Sequence, residues 1–276
     1  MHVTIHNIKD MKKRGEKIAM LTAYDYPTAR MIDEAGVPLI LVGDSLGNVV
    51  LGYDSTIPVT MDDMIHHTRA VSRGVKNAMV IGDMPFMTYH VSVEDALRNA
   101  ARFLQEGGAQ AVKVEGGVNV ADKVKRLVSC GIPVMSHIGL TPQSIHQLGG
   151  FKAQGKTLEA AKALLRDALA LEEAGAFAIV LETIPAPLSA LISRRIDIPT
   201  IGIGAGPDCD GQVQVISDML GLFTDFVPKH AKQYARVASI MSAAISDYVK
   251  EVKVNAFPGD SRSPSMDESI INKIDE

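Results

Sequence analysis

The stretch AIVLETIPAPLSALISRRIDIPTIGI, residues 178–203, decides the fold class of this chain. It begins with a continuously apolar run at 178–181, continues through a helical stretch, and ends in a second apolar run at 199–203. Runs that are apolar without alternation are typical of parallel strands buried on both faces. This unit therefore predicts a parallel sheet whose neighbouring strands are connected by helices.

Similar units recur along the whole chain. Apart from a short first run, the apolar runs show no alternation, and each is followed by a helical stretch before the next. Eight such runs separated by crossovers predict an α/β fold, a closed (β/α)₈ TIM barrel. The predicted strands are 18–23, 38–43, 79–82, 111–114, 133–136, 178–181, 199–203 and 225–227.

The boundaries between these elements carry their own signals. Two hydroxyl-x-x-carboxylate patterns are typical of helix capping boxes, and they occur at Thr60–Asp63 and Ser92–Asp95. At three places a glycine follows a predicted helix and precedes a predicted strand, which favours a left-handed backbone conformation just after the helix. These glycines are Gly36, Gly108 and Gly175. A proline is predicted as the first strand residue at three others: Pro38, Pro133 and Pro199.

Length and composition favour one large domain. The chain has 276 residues, of which 46% are hydrophobic and 22% are charged. Barrels of this class commonly form a single domain of about 250 residues. We expect one catalytic barrel domain over 1–256, closed by a helix at 229–253, and a polar C-terminal tail over 257–276 that has almost no apolar surface to bury.

Charge and cysteine usage restrict the partners and the compartment. The net charge is −4 and no basic run stands out, so neither nucleic acid nor a membrane surface is an expected partner. The polar start lacks the apolar core of a signal peptide, and no apolar run is long enough to span a bilayer. Cys130 and Cys209 lack the spacing of a zinc site or a disulfide framework and fit a reducing compartment. We therefore expect a cytoplasmic protein.

Polar residues at the predicted strand ends indicate where the chemistry lies. In a (β/α)₈ barrel the catalytic groups come from the carboxyl ends of the strands and the loops that follow. Several carboxylates would then face one opening, where they repel each other unless a cation lies among them. Carboxylate oxygens suit Mg²⁺ or Mn²⁺ better than zinc. The candidates are Asp25, Asp44, Ser45, Asp83, Lys113, Glu115, Ser136, His137, Glu182, the loop 202–206, Lys229 and His230.

Each candidate also has a structural interpretation. Asp44 and Asp83 are possible helix N-caps, and Lys113 within a buried strand is a possible partner in a purely structural ion pair. His137 is a possible core histidine whose hydrogen bonds are satisfied. The glycine-rich loop 202–206 fits either a phosphate cradle or a tight turn that brings backbone close to a substrate.

Seven blocks, taken together and in this order, identify the chain as similar to a known family. They resemble ketopantoate hydroxymethyltransferase (3-methyl-2-oxobutanoate hydroxymethyltransferase) over about residues 2–258. The blocks are LTAYDYPTA (21–29), LVGDSLGNVVLGYDSTIPVTMDDMIHHTRAV (41–71), VIGDMPF (80–86), AVKVEGG (111–117), SHIGLTPQS (136–144), VLETIP (180–185) and IGIGAGPDCDGQ (201–212).

The resemblance implies a fold and a reaction. The fold is a barrel of the phosphoenolpyruvate mutase/isocitrate lyase type. The reaction transfers a hydroxymethyl group from 5,10-methylenetetrahydrofolate to 3-methyl-2-oxobutanoate through an enolate stabilised by Mg²⁺. The product is 2-dehydropantoate (ketopantoate), on the route to pantothenate and coenzyme A. Folate is implied as a cosubstrate, and no aromatic cluster in the sequence marks its pocket.

The resemblance also implies roles for individual residues. Asp44, Asp83 and Glu115 fall on the positions that hold one Mg²⁺ per subunit. The positions that contact the 2-oxo acid are Asp44, Ser45, Asp83 and Lys113.

Two further positions and the assembly follow from the same resemblance. Glu182 falls on the proton acceptor, and His137 lines the substrate pocket. Family members form homo-oligomers, often decamers. Many also end in a His-Ser-Phe sequence shortly after a Phe-Pro dipeptide, whereas this chain continues from Phe257-Pro258 into a longer polar tail.

Two other functions are compatible with such a barrel. A phosphoenolpyruvate-mutase-like enzyme or 2-oxo acid lyase would use a similar metal-stabilised enolate, but typically with a catalytic cysteine loop, which the contexts of Cys130 and Cys209 do not match. A catalytically inactive binding module is the alternative outside the enzymes. The complete set of Asp44, Asp83, Lys113, Glu115 and Glu182 argues against it.

Overall fold

The chain folds into a closed barrel of eight parallel strands in sequential order. A computed structural model describes residues 2–274. Each strand pairs with its sequence neighbours, and the last pairs with the first. The predicted (β/α)₈ fold is therefore confirmed. The strands are β1 (Ile18–Thr22), β2 (Leu39–Val42), β3 (Met79–Asp83), β4 (Ala111–Glu115), β5 (Val134–Gly139), β6 (Ala178–Glu182), β7 (Thr200–Ile203) and β8 (Gly211–Gln214).

Helices connect the strands on the outside of the barrel. None in the described part of the chain is both long and apolar enough to cross a membrane. They are α1 (Ile5–Lys13), α2 (Tyr26–Glu34), α3 (Leu46–Val49), α4 (Met61–Gly74), α5 (Val93–Gln105), α6 (Ala121–Ser129), α7 (Ile145–Leu148), α8 (Leu158–Glu173), α9 (Ala186–Arg195), α10 (Ile216–Met219), α11 (Val237–Lys253) and α12 (Glu268–Asn272).

Two apolar clusters stabilise the barrel. One lies inside it, where alternate strand residues such as Met20, Leu41 and Ile81 meet Ile8 of α1. The other fills the layer between the strands and the surrounding helices and includes Phe103 of α5, which is fully buried. Because Ile8 belongs to the inner cluster and α1 precedes β1, α1 covers the amino-terminal end of the barrel. The carboxyl end is left for the loops.

The predicted helix signals are present. Thr60 and Asp63 form a reciprocal capping box on α4, and the Ser92 hydroxyl accepts a hydrogen bond from the Asp95 amide on α5. The three predicted glycines adopt positive φ angles, between 74° at Gly108 and 96° at Gly175. Each predicted proline directly precedes its strand, and its carbonyl accepts a hydrogen bond from the neighbouring strand.

The predicted eighth strand at 225–227 is wrong. Phe226 is 65% exposed in an irregular segment, whereas β8 is Gly211–Gln214. In β8 the side chain of Val213 is buried and that of Gln212 is exposed. This strand is buried on one face only, so it is not continuously apolar and gives no apolar run in the sequence. Its outward face borders an open groove, which Gln212 lines together with Ala19 of β1.

The closing helix begins later than predicted, at Val237 instead of residue 229. Residues 229–236 form a loop that runs along the end of α10, where the amides of Tyr234 and Val237 donate to the carbonyls of Met219 and Leu220. The helix that follows, α11, has no buried residue. Lys229 and His230 therefore do not end a strand, and the structure does not place them among the carboxylates.

The C-terminal tail contains short helical turns at 260–262 and at α12. It also carries exposed apolar side chains, with Met266 at 62% and Ile274 at 74% exposure. The tail is therefore less polar than predicted. No residue of 261–274 is buried.

Truncation after Pro258 is expected to leave the free energy of unfolding of one chain nearly unchanged. Residues with exposed side chains contribute within about 0.5 kcal/mol. The melting temperature, measured by circular dichroism, would then change by no more than about 2 °C in a protein of this size. A large decrease would show that the tail is buried in the protein as it exists in solution.

Candidate active site

Six of the predicted site residues lie together at the carboxyl end of the barrel. The strand register explains their proximity. Asp83 at the end of β3 pairs with Lys113, Glu115 at the end of β4 pairs with His137, and Glu182 at the end of β6 pairs with Gly139. Residues two apart on a strand point to the same side, so Lys113 and Glu115 both face the inside of the barrel. Asp44 follows β2 by two residues and approaches the same cluster.

The Lys113 ammonium lies between two carboxylates. Its Nζ atom is 2.7 and 2.9 Å from the two oxygens of Asp83 and 3.4 Å from Oε1 of Glu115. All three side chains are almost fully buried, with at most 5% exposure. Asp83 also accepts a hydrogen bond from the Asp44 amide, at 3.1 Å. Neither Asp44 nor Asp83 caps a helix with its side chain, so the capping alternative is not observed.

Gln143 links the carboxylates and was not singled out from the sequence. Its Nε2 donates to Asp44 at 2.9 Å, and its backbone amide donates to Glu115 at 3.1 Å. Tyr89 donates to the Gln143 side-chain oxygen at 2.8 Å and accepts from the Glu115 amide at 3.0 Å. The only sequence signal is that Gln143 follows Thr141-Pro142 in a block used for the resemblance.

His137 lies between two carboxylates on the opposite side of the cluster. Its Nδ1 is 3.4 Å from Glu115 Oε1, and its Nε2 is 3.4 Å from Glu182 Oε2. Neither contact meets the geometry of a hydrogen bond, and both ring nitrogens are buried without a partner among the described residues. The expected alternative of a satisfied core histidine is therefore not observed. The side chain of Glu182 is 16% exposed, which makes it more accessible than the other acids of the cluster.

The negative charge of the cluster exceeds its positive charge. Burial raises the pKa of Asp44 well above its ordinary value, and the charges of Asp83 and Glu115 raise it further. Burial also raises the pKa of Asp83, although Lys113 opposes this shift. Asp44 and Asp83 are therefore costly to ionise without an additional cation.

Lys113 and Glu115 are both stabilised in their charged forms. Burial lowers the pKa of Lys113, but the surrounding carboxylates outweigh it and raise the pKa above its ordinary value. Burial raises the pKa of Glu115, but Lys113 and then His137 reduce it to about 2. This pair therefore remains ionised across the physiological pH range.

Glu182 has the pKa of a potential proton acceptor. Burial raises its pKa to about 7, partly offset by the neighbouring His137. A carboxylate with a pKa near neutral pH is a stronger base than an ordinary one and is still available in its ionised form.

The donor chemistry of the cluster fits a divalent cation. Three buried carboxylates and one ammonium leave two negative charges when all are ionised, and a hard M²⁺ ion would neutralise them. Among the described residues, however, no three acidic, histidine or cysteine side chains converge closely enough to form a complete coordination set. Asp83 and Glu115 converge on Lys113 instead. A metal site at Asp44, Asp83 and Glu115 therefore remains a prediction.

Other candidates have different surroundings. Asp25 accepts a hydrogen bond from the Thr28 amide at 2.8 Å and caps α2, so its role is structural. Ser45 lies beside Asp44, and its hydroxyl contacts the Tyr24 hydroxyl at 2.8 Å. In the glycine-rich loop, Gly204 has φ of 62° and lies against the His230 ring.

Neither cysteine lies at the opening. Cys130 ends α6 ahead of β5 and is on the amino-terminal side of the barrel. Cys209 is buried just before β8. The cysteine loop expected of a mutase-like enzyme is thus not formed by either thiol.

Comparison with known sequences gives a consistent result. The family model for ketopantoate hydroxymethyltransferase matches residues 2–260. A 3-methyl-2-oxobutanoate hydroxymethyltransferase from Dehalococcoides mccartyi is 68% identical and covers 99% of this chain and 97% of its own. Proteins of the same name from Acetivibrio thermocellus and Chloroflexus aurantiacus are 58% and 60% identical and cover 99% and 97% of this chain. They cover 96% and 94% of their own lengths.

Comparison with solved structures supports the barrel fold. A phosphonopyruvate hydrolase in complex with oxalate and Mg²⁺ has a TM-score of 0.62 at 14% identity, and covers 100% of this chain and 96% of its own. A 2,3-dimethylmalate lyase of the PEP mutase/isocitrate lyase superfamily has a TM-score of 0.56 at 16% identity, covering 99% and 95%. At this level of identity the likenesses show the fold alone, an eight-stranded barrel of the same architecture.

Proposed function

This chain belongs to the ketopantoate hydroxymethyltransferase family, and we propose that it transfers a hydroxymethyl group from 5,10-methylenetetrahydrofolate to 3-methyl-2-oxobutanoate, forming 2-dehydropantoate for pantothenate and coenzyme A synthesis. The observation that best supports this reaction is the position of Glu182. It is a partly exposed carboxylate with a raised pKa, 3.4 Å from His137, at the edge of a buried acidic cluster.

Each cluster residue has a role in this proposal. Asp44, Asp83 and Glu115 would hold one Mg²⁺ per subunit, which when bound supplies a Lewis acid that polarises the substrate carbonyl. Asp44, Ser45, Asp83 and Lys113 contact the 2-oxo acid. Because the cluster is otherwise acidic, the Lys113 ammonium is the protein group that attracts the anionic substrate.

Proton transfer at C3 of the substrate begins the reaction. Glu182 accepts this proton, and the C–H electrons form the C2–C3 double bond of an enolate as the carbonyl electrons move onto oxygen. His137 lines the pocket and donates a hydrogen bond or positive charge toward the enolate, since its ring nitrogens have no protein partner among the described residues. C3 then forms a bond to the one-carbon unit, and the two C–N bonds that hold this unit to the folate break in the course of the transfer. In the net reaction, water supplies the hydroxyl group of the product. The remaining hydrogen of water and the proton removed from C3 restore the two N–H groups of tetrahydrofolate.

The rate of C3 proton removal is expected to increase with pH and then level off. A base acts in its ionised form, so the rate follows ionisation of Glu182, whose pKa of about 7 is raised by burial and lowered in part by His137. The charges of Glu115 and Asp83 also raise the pKa of Glu182, and the charge of Lys113 lowers it. A bound cation would lower this pKa as well, so the midpoint of the rate profile would lie below pH 7. Deuterium exchange measured between pH 5 and 9 checks this expectation. A rate that decreases as pH increases across this range would exclude a carboxylate base.

Product formation tests the proposed function itself. ¹³C NMR of 3-methyl-2-oxobutanoate and methylenetetrahydrofolate labelled at the transferred carbon is expected to show labelled 2-dehydropantoate only when the protein and Mg²⁺ are both present. Absence of this product with well-folded protein would contradict the proposal.

The surface supports a homo-oligomer, which the family resemblance implies as often a decamer. On α11, Met241, Ile245, Tyr248 and Val252 form one apolar stripe, with 42% to 59% exposure. On the same chain, the outward face of β1 and β8 borders an open groove of about 620 Å³. A second copy would cover both surfaces. Sedimentation equilibrium tests this proposal, and a monomer at micromolar concentration would contradict it.

The same proposal includes one barrel domain over 1–256, the polar tail over 257–276, and a cytoplasmic location. Both cysteines are free thiols, which supports a reducing compartment.

A further inference from the structure

A second cavity lies directly beside the acidic cluster. Its volume is about 360 Å³, within the range of about 300–1,000 Å³ that is typical of small-molecule sites. The loops that follow β2, β3, β4 and β5 surround it, so it opens at the catalytic end of the barrel. Glu115 and Gln143 belong both to the cluster and to the cavity lining. A ligand in this cavity would therefore adjoin a ligand at the cluster.

The cavity wall is aromatic. The rings of Tyr89 and His90 stack with centroids 4.1 Å apart and an interplanar angle of 31°. Phe86 packs against His90 at 5.9 Å between centroids. All three line the cavity together with Ile57. Such a wall favours the flat face of an aromatic ligand.

Polar side chains accompany this wall. The Nδ1 atom of His90 is buried and has no hydrogen-bond partner among the described residues. Burial lowers the pKa of His90, so its imidazole is neutral near pH 7 and can hydrogen-bond an uncharged ligand. At the rim, Asn119 and Gln147 add side-chain amides. The lining thus combines stacking surface with neutral donors and acceptors.

The charge of the lining distinguishes between the two substrates. Among the described residues, no lysine or arginine lines this cavity, whereas the Glu115 carboxylate does. The Glu115 carboxylate repels an anionic 2-oxo acid from this cavity. Lys113, which does not line the cavity, attracts that acid to the acidic cluster instead. A planar, uncharged heteroaromatic ring suits the cavity better.

We propose that this cavity binds the pterin ring of the folate cosubstrate, with the ring against Phe86 and His90 and a hydrogen bond to His90 Nδ1. This inference rests on the proposed function, since it identifies the site of the second substrate. It places the one-carbon unit beside the cluster where the enolate forms.

His90→Phe tests the proposal, because phenylalanine retains the ring stacked on Tyr89 and removes the nitrogen. We expect the Kd for tetrahydrofolate, measured by calorimetry, and the KM for methylenetetrahydrofolate to rise about tenfold or more, as expected for loss of a buried hydrogen bond. The KM for the 2-oxo acid and the folate-free exchange of its C3 proton are expected to change less than about twofold. The matched control is His66→Phe on α4, since His66 is exposed and outside the cavity.

A second variant covers the case in which His90→Phe does not fold. Gln147 is exposed at the rim, so Gln147→Trp is compatible with folding and places an indole at the cavity mouth. The same increase in the Kd for tetrahydrofolate is expected. Unchanged folate binding in a folded variant, or an increase in the 2-oxo acid KM alone, would overturn the proposal. Wild-type protein that catalyses neither exchange nor transfer would instead contradict the proposed function.

Discussion

Asp44→Asn is expected to remove Mg²⁺-dependent turnover while preserving the fold. The amide has almost the same volume and can still accept the hydrogen bond from Gln143. Burial and the neighbouring carboxylates make the Asp44 charge unfavourable, so its loss is not expected to lower the melting temperature. We expect the calorimetric Mg²⁺ affinity to fall about 10²-fold or more and turnover to fall about 10²- to 10³-fold.

Two comparison variants make this test specific. Asp25 also follows a strand at the same end of the barrel, but it caps α2, and asparagine is an equally good cap. Asp25→Asn is therefore expected to retain both Mg²⁺ binding and activity. Asp83→Asn is expected to lose metal binding and also stability, because it leaves the buried Lys113 with one fewer carboxylate. Unchanged Mg²⁺ affinity and activity in Asp44→Asn would contradict the metal assignment.

Glu182→Gln is expected to lower C3 proton exchange by about 10²- to 10⁴-fold, the usual contribution of a positioned general base. Mg²⁺ and 2-oxo acid binding are expected to remain nearly unchanged, because glutamine preserves the shape and the metal site uses other carboxylates. Glu173→Gln on α8 is the matched control, since that side chain is exposed outside the barrel.

Three measurements on Glu182→Gln separate three roles for this residue. A metal ligand would show weakened Mg²⁺ affinity and activity partly restored at high Mg²⁺. A structural residue would show a lower melting temperature with near-normal exchange per folded molecule. A base shows lost exchange with normal binding and stability. Normal exchange in the folded variant would place the base elsewhere, and His137, 3.4 Å away, would be the next candidate.

The barrel was predictable from sequence where its strands are buried on both faces. The six strands β2 to β7 satisfy that condition and give short apolar runs, whereas β1 gives an apolar run although Ala19 on its outward face is exposed. The signals at Gly36, Gly108 and Gly175 mark the turns that lead into three of the buried strands. β8 lies beside a face that the chain itself leaves open, so Gln212 alternates with Val213 and no apolar run marks the strand. A strand whose outward face is not covered by its own chain therefore gives no apolar run in the sequence.

The cluster was predictable in part because strand ends in such a barrel share one opening. The register that pairs Asp83 with Lys113 and Glu115 with His137 brings these four residues together. Gln143 was not predictable in this way, since it reaches the carboxylates from a loop whose conformation depends on tertiary contacts. The cavity beside it was also not apparent, because Phe86, Tyr89 and His90 form an aromatic wall only when the β3–α5 loop folds back.

The proposed function requires that this protein remove the C3 proton of 3-methyl-2-oxobutanoate. Proton NMR in D₂O with Mg²⁺ and without folate measures that step alone. We predict loss of the C3 proton signal and collapse of the methyl doublet at a rate proportional to protein concentration, and strong suppression of both in Glu182→Gln. Exchange no faster than in a protein-free control, with folded protein and bound Mg²⁺, would contradict the account.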